Sequence, residues 1–374
     1  MFHSHTTSHH DDRKGRHYYM TTSPTDALVY SSDDPCGRHA GRGRHVEHGR
    51  HVGGARHVDY NHHAYLAIII LSLIILASCS SNVPPDTVNH TPTPSVIPPS
   101  PTPTAIATST PTISPAPTHY TSHVILRGTA RPDDMIFDAQ GRVIFSDFYN
   151  GTVSRINADR SVTVLLRGIA GPEGLVILQN GTMIIAEQRT NRILAWTGGT
   201  AALTVLRALP GTPSTAQSKD GVDGIAFDAT SNTIIVPDSP TGEVYRMSLD
   251  GKTLTKLASG IVRPVGAAVD TKGNIYVADE CGGALWRIDP TGKTTRIGGF
   301  GMPDDVVIDP HGNLLVIDLL PSIHALIRLH LDTGKRETLA SAGFIEPQGL
   351  LVSPDDTIYV SDDYANIIVE FTPA

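Results

Sequence analysis

From about residue 120 to the C-terminus, short apolar and β-branched runs alternate with Gly/Asn/Asp turns, and the alternation recurs at a near-constant interval. Six segments open alike: RPDDMIFD at Arg131, GPEGLVIL at Gly171, GVDGIAFD at Gly221, RPVGAAVD at Arg263, MPDDVVID at Met302 and EPQGLLVS at Glu346. Their third residues fall at 133, 173, 223, 265, 304 and 348, in steps of 40, 50, 42, 39 and 44. That interval is the length of one four-stranded propeller blade. Each opening runs into a turn (DAQGR, LQNGT, DATSNT, DTKGN, DPHGN, SPDDT). A β-branched strand ending in an acid follows: VIFSD, MIIAE, IIVPD, IYVAD, LLVID, IYVSD. A third strand comes next, as in TVSRIN or ALWRID, and in the first five repeats a fourth, as in VTVLLRG or LTKLASG. No stretch of these repeats has helical periodicity, so α/β and helical folds are excluded. The pattern predicts an all-β, six-bladed β-propeller.

The sixth repeat stops at Phe371 after three strands, while His123–Gly128 (HVILRG) looks like the fourth strand of the other blades. Pairing it with the last blade joins the chain ends and removes two open sheet edges. The propeller is therefore expected to span 119–374 and to close near 123–128.

Upstream, the pattern changes three times. Residues 1–63 hold twelve of the 18 histidines and read as a disordered leader, or as sequence ahead of a misassigned start. Ala64–Ala77 (AYLAIIILSLIILA) is 14 residues without a charge. That is short of the roughly 20 a spanning helix needs, and right for a signal-peptide core. Leu76-Ala77-Ser78-Cys79 resembles the bacterial lipobox, which implies lipidation at Cys79 and cleavage before it. Segment 64–79 is thus expected to be a lipoprotein signal, placing the protein outside the cytoplasm on a lipid anchor. Residues 80–118 form a Thr/Pro-rich linker (TPTPSVIPPSPTPTAIATSTPTISPAPT) that favours polyproline II over a packed core. Extended, it would reach on the order of 100 Å.

Charge narrows the partners. Setting aside eight Lys/Arg and seven Asp/Glu before Cys79 from totals of 29 and 37, the remainder carries −9. An acidic domain without a basic stripe argues against nucleic acid. It suits a cation, or a small molecule, glycan or protein partner, and a monomer is expected. The cysteines Cys36, Cys79 and Cys281 show no metal-ligand spacing, and Cys281 reads as a free thiol without a role.

Strand order brings two sets of residues to one face. The second strands end there in Asp147, Glu187, Asp238, Asp279, Asp318 and Asp362. Since every blade carries one, they read as turn-building carboxylates that accept backbone N–H bonds. The first strands begin there with Asp133, Glu173, Asp223, Val265, Asp304 and Gln348, and Asp134 and Asp305 stand beside two of them. This set varies from blade to blade, as functional positions on a repeat scaffold do. Crowded carboxylates must hold protons or a cation, and hard oxygen donors favour calcium over zinc. The candidate metal ligands are Glu173, Asp223, Asp304 and Gln348. Asp304 and Asp133 are candidate general bases, and Asp134, Asp305 and His324 are candidate ligand contacts, His324 through its loop on the same face. His311 is assigned to a turn on the opposite face. The insertion Arg207–Gly221 accounts for the 50-residue step and enters above Asp223. It reads equally as a ligand-contacting loop or an idle one.

The openings P-x-G/D, the YVAD-type strand ends and the following N/G-x-x-x-R-I resemble NHL repeats. They are also similar to the senescence-marker protein/gluconolactonase family of six-bladed propellers, most closely over Asp223–Asp250 and Arg263–Lys293. The resemblance implies the fold, and a metal held by a Glu in an E-G opening, an Asn in an N-G opening and an Asp in a P-D-G opening. Glu173 matches the first, and Asp223 stands where the Asn would be. Val265 replaces the Asp, while Asp304 and Asp133 follow Pro but precede Asp rather than Gly. Two functions follow: a surface-displayed propeller that binds a ligand over an acidic, calcium-holding mouth, or a metal-dependent lactonase or esterase. No G-x-S-x-G elbow supports a serine nucleophile. The resemblance to virginiamycin B lyase is confined to fold, since no matching pair of histidines lies on this face.

Overall fold

The computed structural model describes residues 8–10, 17–19, 115–214 and 219–374. Within the leader, Ser8–His10 pairs antiparallel with His17–Tyr19. The rest of the leader, the signal core with Cys79, and the linker up to residue 114 lie outside the described residues. Among the described residues no helix is long and apolar enough to cross a membrane.

Residues 120–373 form six sheets, each of four antiparallel strands ordered from the first strand of a repeat outward. The second strand of each is buried along most of its length, because it lies between its own neighbours and the adjacent blades. The fourth strands of the first five blades (Val162–Arg167, Thr204–Ala208, Leu254–Ser259, Thr294–Gly298 and Arg336–Ala340) are mostly exposed or half-buried, as outer edges should be.

The sixth blade is closed by the chain's own beginning. Tyr120–Arg127 pairs antiparallel with Ile367–Pro373, in a register that sets Arg127 opposite Ile367 and Tyr120 opposite Pro373. The closing strand starts three residues earlier than the sequence pattern marks, and the chain ahead of it is tied in too. Arg328, in the third strand of the fifth blade, donates to the Pro117 carbonyl and, at 2.7 Å, to the Tyr120 hydroxyl. The Ala374 amide donates to the His119 carbonyl at 3.0 Å.

There is no single core. Six apolar clusters each fill one interface between neighbouring blades. Leu126, Ile368, Met135 and Phe145 join blades six and one, and Leu315, Ile317, Leu350 and Val360 join blades five and six. Burial of apolar area is the main favourable contribution to folding, so each blade is stabilised by its two neighbours, and the ring is stable as a whole once closed.

Candidate metal centre at the propeller mouth

The first strands converge on the central axis, and their openings form two stacked rings. The upper ring is Asp133, Glu173, Asp223, Val265, Asp304 and Gln348, all buried. Directly below lie Asp134, Gly174, Gly224, Gly266, Asp305 and Gly349. The glycines permit close approach: a Cβ on Gly224 would stand 2.8 Å from the Gly266 Cα. The two rings enclose a cavity with about 20 Å³ open to the centre of a water-sized sphere, lined by Asp133, Asp134, Asp223, Asp304, Asp305 and Gln348. That is room for one water or one bare cation.

Three carboxylates gather tightly. Asp133, Glu173 and Asp223 each offer an oxygen within 4.8 Å of the others. The membership differs from the expectation: Asp133, a candidate base, joins the cluster in place of Asp304. Asp304 lines the same cavity outside the triad, and so does Gln348. The Gln348 amide is 1% exposed, and neither its nitrogen nor its oxygen has a hydrogen-bond partner among the described residues. A buried unpaired amide is costly, so its aim into the cavity is unfavourable unless something there binds it. An oxygen-only donor set of three carboxylates and one amide fits a hard divalent cation.

Asp134 and Asp305, proposed from sequence as ligand contacts, are also staples between blades. Asp134 accepts from the Met135 amide and, across the blade interface, from the Leu175 amide, both at 2.6 Å. Asp305 likewise accepts from Val306 at 2.7 Å and from Leu350 of the next blade at 2.8 Å. Burial raises the Asp134 carboxyl well above the usual range, and repulsion from Asp305 adds to this. Burial pushes Asp305 up to about 7, against its backbone N–H bonds and with added repulsion from Asp304 and Asp223. Below these two acids the channel walls turn apolar, with Ile136, Val176, Phe227, Val307 and Leu351.

The second-strand acids do what a repeat device should. Asp318 accepts from the Gly301, Met302 and Leu320 amides, and Asp362 from Ile345, Glu346 and Ala365. Asp147, Glu187, Asp238 and Asp279 take amides of their neighbouring loops in the same way. His324 is half-buried with φ of 37°, sits close enough to Asp362 to lower its carboxyl, and is not among the residues lining the cavity. Burial nevertheless leaves the Asp362 carboxyl raised. His311, as assigned, caps a turn on the opposite face, with Nε2 2.9 Å from Asp356.

Sequence reasoning missed two features. Cys281 is disulfide-bonded rather than a free thiol. Arg263, two residues ahead of Val265, is turned inward and 1% exposed, with Asp223 at 3.4 Å, Asp220 at 3.3 Å and Glu280 in contact. Its RP dipeptide was visible, but Arg131 carries the same dipeptide and points elsewhere. The insertion is pinned at its base: Asn191 donates to the Gly211 carbonyl at 2.8 Å and accepts from the Val222 amide at 2.7 Å.

Residues 198–303 match the family model described as SMP-30/Gluconolactonase/LRE-like region. No curated protein sequence matches the chain. Solved structures share its fold. A gluconolactonase from Xanthomonas campestris is 17% identical with a TM-score of 0.56, over 68% of this chain and 90% of that one. A catalytically inactive virginiamycin B lyase from Staphylococcus aureus, solved with quinupristin, is 15% identical with a TM-score of 0.52, over 68% and 99%. A chain of a nidogen/laminin complex is 19% identical with a TM-score of 0.51, over 59% and 85%.

Proposed function

We propose that this protein is a cation-holding propeller displayed outside the cytoplasm, which binds a small molecule, glycan or protein over its acidic mouth. The observation that carries this is the buried Asp133–Glu173–Asp223 cluster at a one-ion cavity that Asp133 and Asp223 line, with the unsatisfied Gln348 amide beside it. Calcium is the cation the donor set favours, because flexible, all-oxygen sites with several carboxylates suit it. Asp133, Glu173, Asp223 and Gln348 would hold it, and Asp304 would contribute charge from the cavity wall. Display rests on the lipobox-like segment ending at Cys79.

A second reading is favoured by the family match over residues 198–303, which ends at the blade whose opening supplies Asp304. In it, the mouth hydrolyses a lactone or related ester. A bound cation would polarise the ester carbonyl. Asp304, on the cavity wall outside the carboxylate triad, would take a proton from the attacking water. Asp134 and Asp305, held by backbone amides, keep the floor of the site rigid and one proton in reserve.

Purified protein should contain calcium or take it up in titration, and Glu173→Gln should weaken that uptake at least tenfold. A lactone panel assayed with and without chelator then separates the two readings. Chelator-sensitive turnover lost in Asp304→Asn establishes the hydrolase. Cation uptake without turnover establishes the binding propeller. Absence of any cation uptake refutes both.

A further inference from the structure

Two of the six repeats open with Arg-Pro, and their arginines end in opposite environments. Arg131 lies at the rim, 26% exposed, with its guanidinium carbon 3.4 Å from the Tyr149 ring centre and 4.5 Å from that of Tyr364. Its Nε donates to the Asp363 carbonyl of the sixth blade at 3.0 Å, so it fastens the closing blade to the first. Arg263 instead turns under the rim and is 1% exposed. Its Nη2 lies 3.3 Å from Asp220 and 3.4 Å from Asp223, and Nη1 contacts Glu280. The same Asp223 oxygen that meets Arg263 also accepts from the Gln188 amide at 3.1 Å.

The fourth blade thus differs from the others in kind. Its residue in the upper ring is the buried Val265, and two residues away it delivers a permanent positive charge. A guanidinium stays protonated at any working pH, so the charge is fixed. We infer that Arg263 is a positioning residue that sets the strength of the cation site. It holds Asp223 in one orientation, and its charge restrains how tightly a cation can bind there. Through Asp220, at the end of the insertion, it ties Arg207–Gly221 to the same carboxylate. This rests on the cation site proposed above.

Two opposing effects act on affinity. Orienting Asp223 removes rotamer freedom before the cation arrives, which favours binding modestly. A unit charge against a ligand carboxylate repels a divalent ion in a site shielded from water, where Coulomb interactions are strong. Repulsion is the larger effect. Cation affinity should therefore rise when the guanidinium is removed and fall when it is freed to press harder on Asp223.

Three variants test this by calcium calorimetry, with thermal unfolding measured alongside on the same samples. Arg263→Met combined with Glu280→Gln removes the charge without leaving Glu280 buried against nothing. One positive and one negative charge go together, so the net charge is unchanged and what is lost is the guanidinium's contact with Asp223; calcium should bind more tightly than to wild type, by a few-fold. Asp220→Asn leaves Arg263 with one carboxylate fewer and should bind several-fold more weakly. Arg263→Lys keeps the charge and should stay near wild type. A purely structural role would lower the unfolding temperature of all three without moving affinity in opposite directions. Should the double variant fail to fold, Asp220→Asn is read against the same change made in an Arg263→Gln background: the loss of affinity should be smaller there, and an equal loss in both backgrounds overturns the inference. Unchanged or tighter binding by Asp220→Asn, or unchanged or weaker binding by the folded double variant, overturns the inference. Wild-type protein that takes up no calcium would instead refute the cation site itself, and this inference with it.

Discussion

Replacing Asp305 by Asn should change how stability depends on pH, and the size of the change follows from its place beneath the mouth. The Asp305 carboxyl moves from an ordinary 3.8 to about 7, because burial and the nearby Asp304 and Asp223 disfavour its charge. Between those values the folded chain binds a proton that the unfolded chain has released. Stability from this group is therefore complete below about pH 4 and is lost as pH rises toward 7. Each pH unit costs about 1.4 kcal/mol, so the interval amounts to about 4 kcal/mol. Asparagine cannot ionise, which removes that slope. It also keeps only one acceptor where the two oxygens of the carboxyl group serve Val306 and Leu350, at a cost of about 1–3 kcal/mol. Urea unfolding in the presence of chelator, at half-unit steps from pH 4 to 7.5, measures both effects. Near pH 4 the variant should be the less stable protein, and near pH 7 the difference should vanish or reverse. Parallel wild-type and variant curves across this range would refute the claim that the carboxyl is neutral in the folded state. Such curves would also remove the argument that the lower ring holds a proton when no cation is present.

Other outcomes are equally checkable. Gln348→Leu should weaken calcium uptake about tenfold, while stability stays level or rises, because an unsatisfied buried amide is removed; calorimetry and thermal unfolding report both. Asp318→Ala strips the acceptor from three loop amides and should destabilise by about 3 kcal/mol, seen as a lower urea midpoint with calcium affinity little changed. Gly224→Val forces a branched side chain onto the Gly266 Cα, already 2.8 Å from where a Cβ would stand, and should cost at least about 3 kcal/mol or prevent ring closure. Size-exclusion chromatography and circular dichroism would show it.

Much of this protein follows from local spacing alone. The blade count, the strand order within each blade, the closing strand near Val124 and the backbone-binding role of Asp318 and Asp362 all depend on patterns within one repeat, and one repeat is written out six times. Nor is it an accident that the variable positions were recognisable as the ones lining the mouth: the first strand of every blade begins at the same level. What each of those positions does could not be read the same way. Asp133 rather than Asp304 joins Glu173 and Asp223 because the first three blades are neighbours around the ring, and the distance across it is set by how blades pack. Asp134 and Asp305 acquire backbone partners from the next blade, which no spacing within a repeat reveals. Arg131 and Arg263 share a dipeptide, yet one stacks on tyrosines at the rim and the other enters the mouth, because Asp363 waits beside the first and Asp220, Asp223 and Glu280 surround the second. Secondary structure and repeat length are short-range properties of the chain. The charge balance of a site assembled from six blades exists only once the ring has closed.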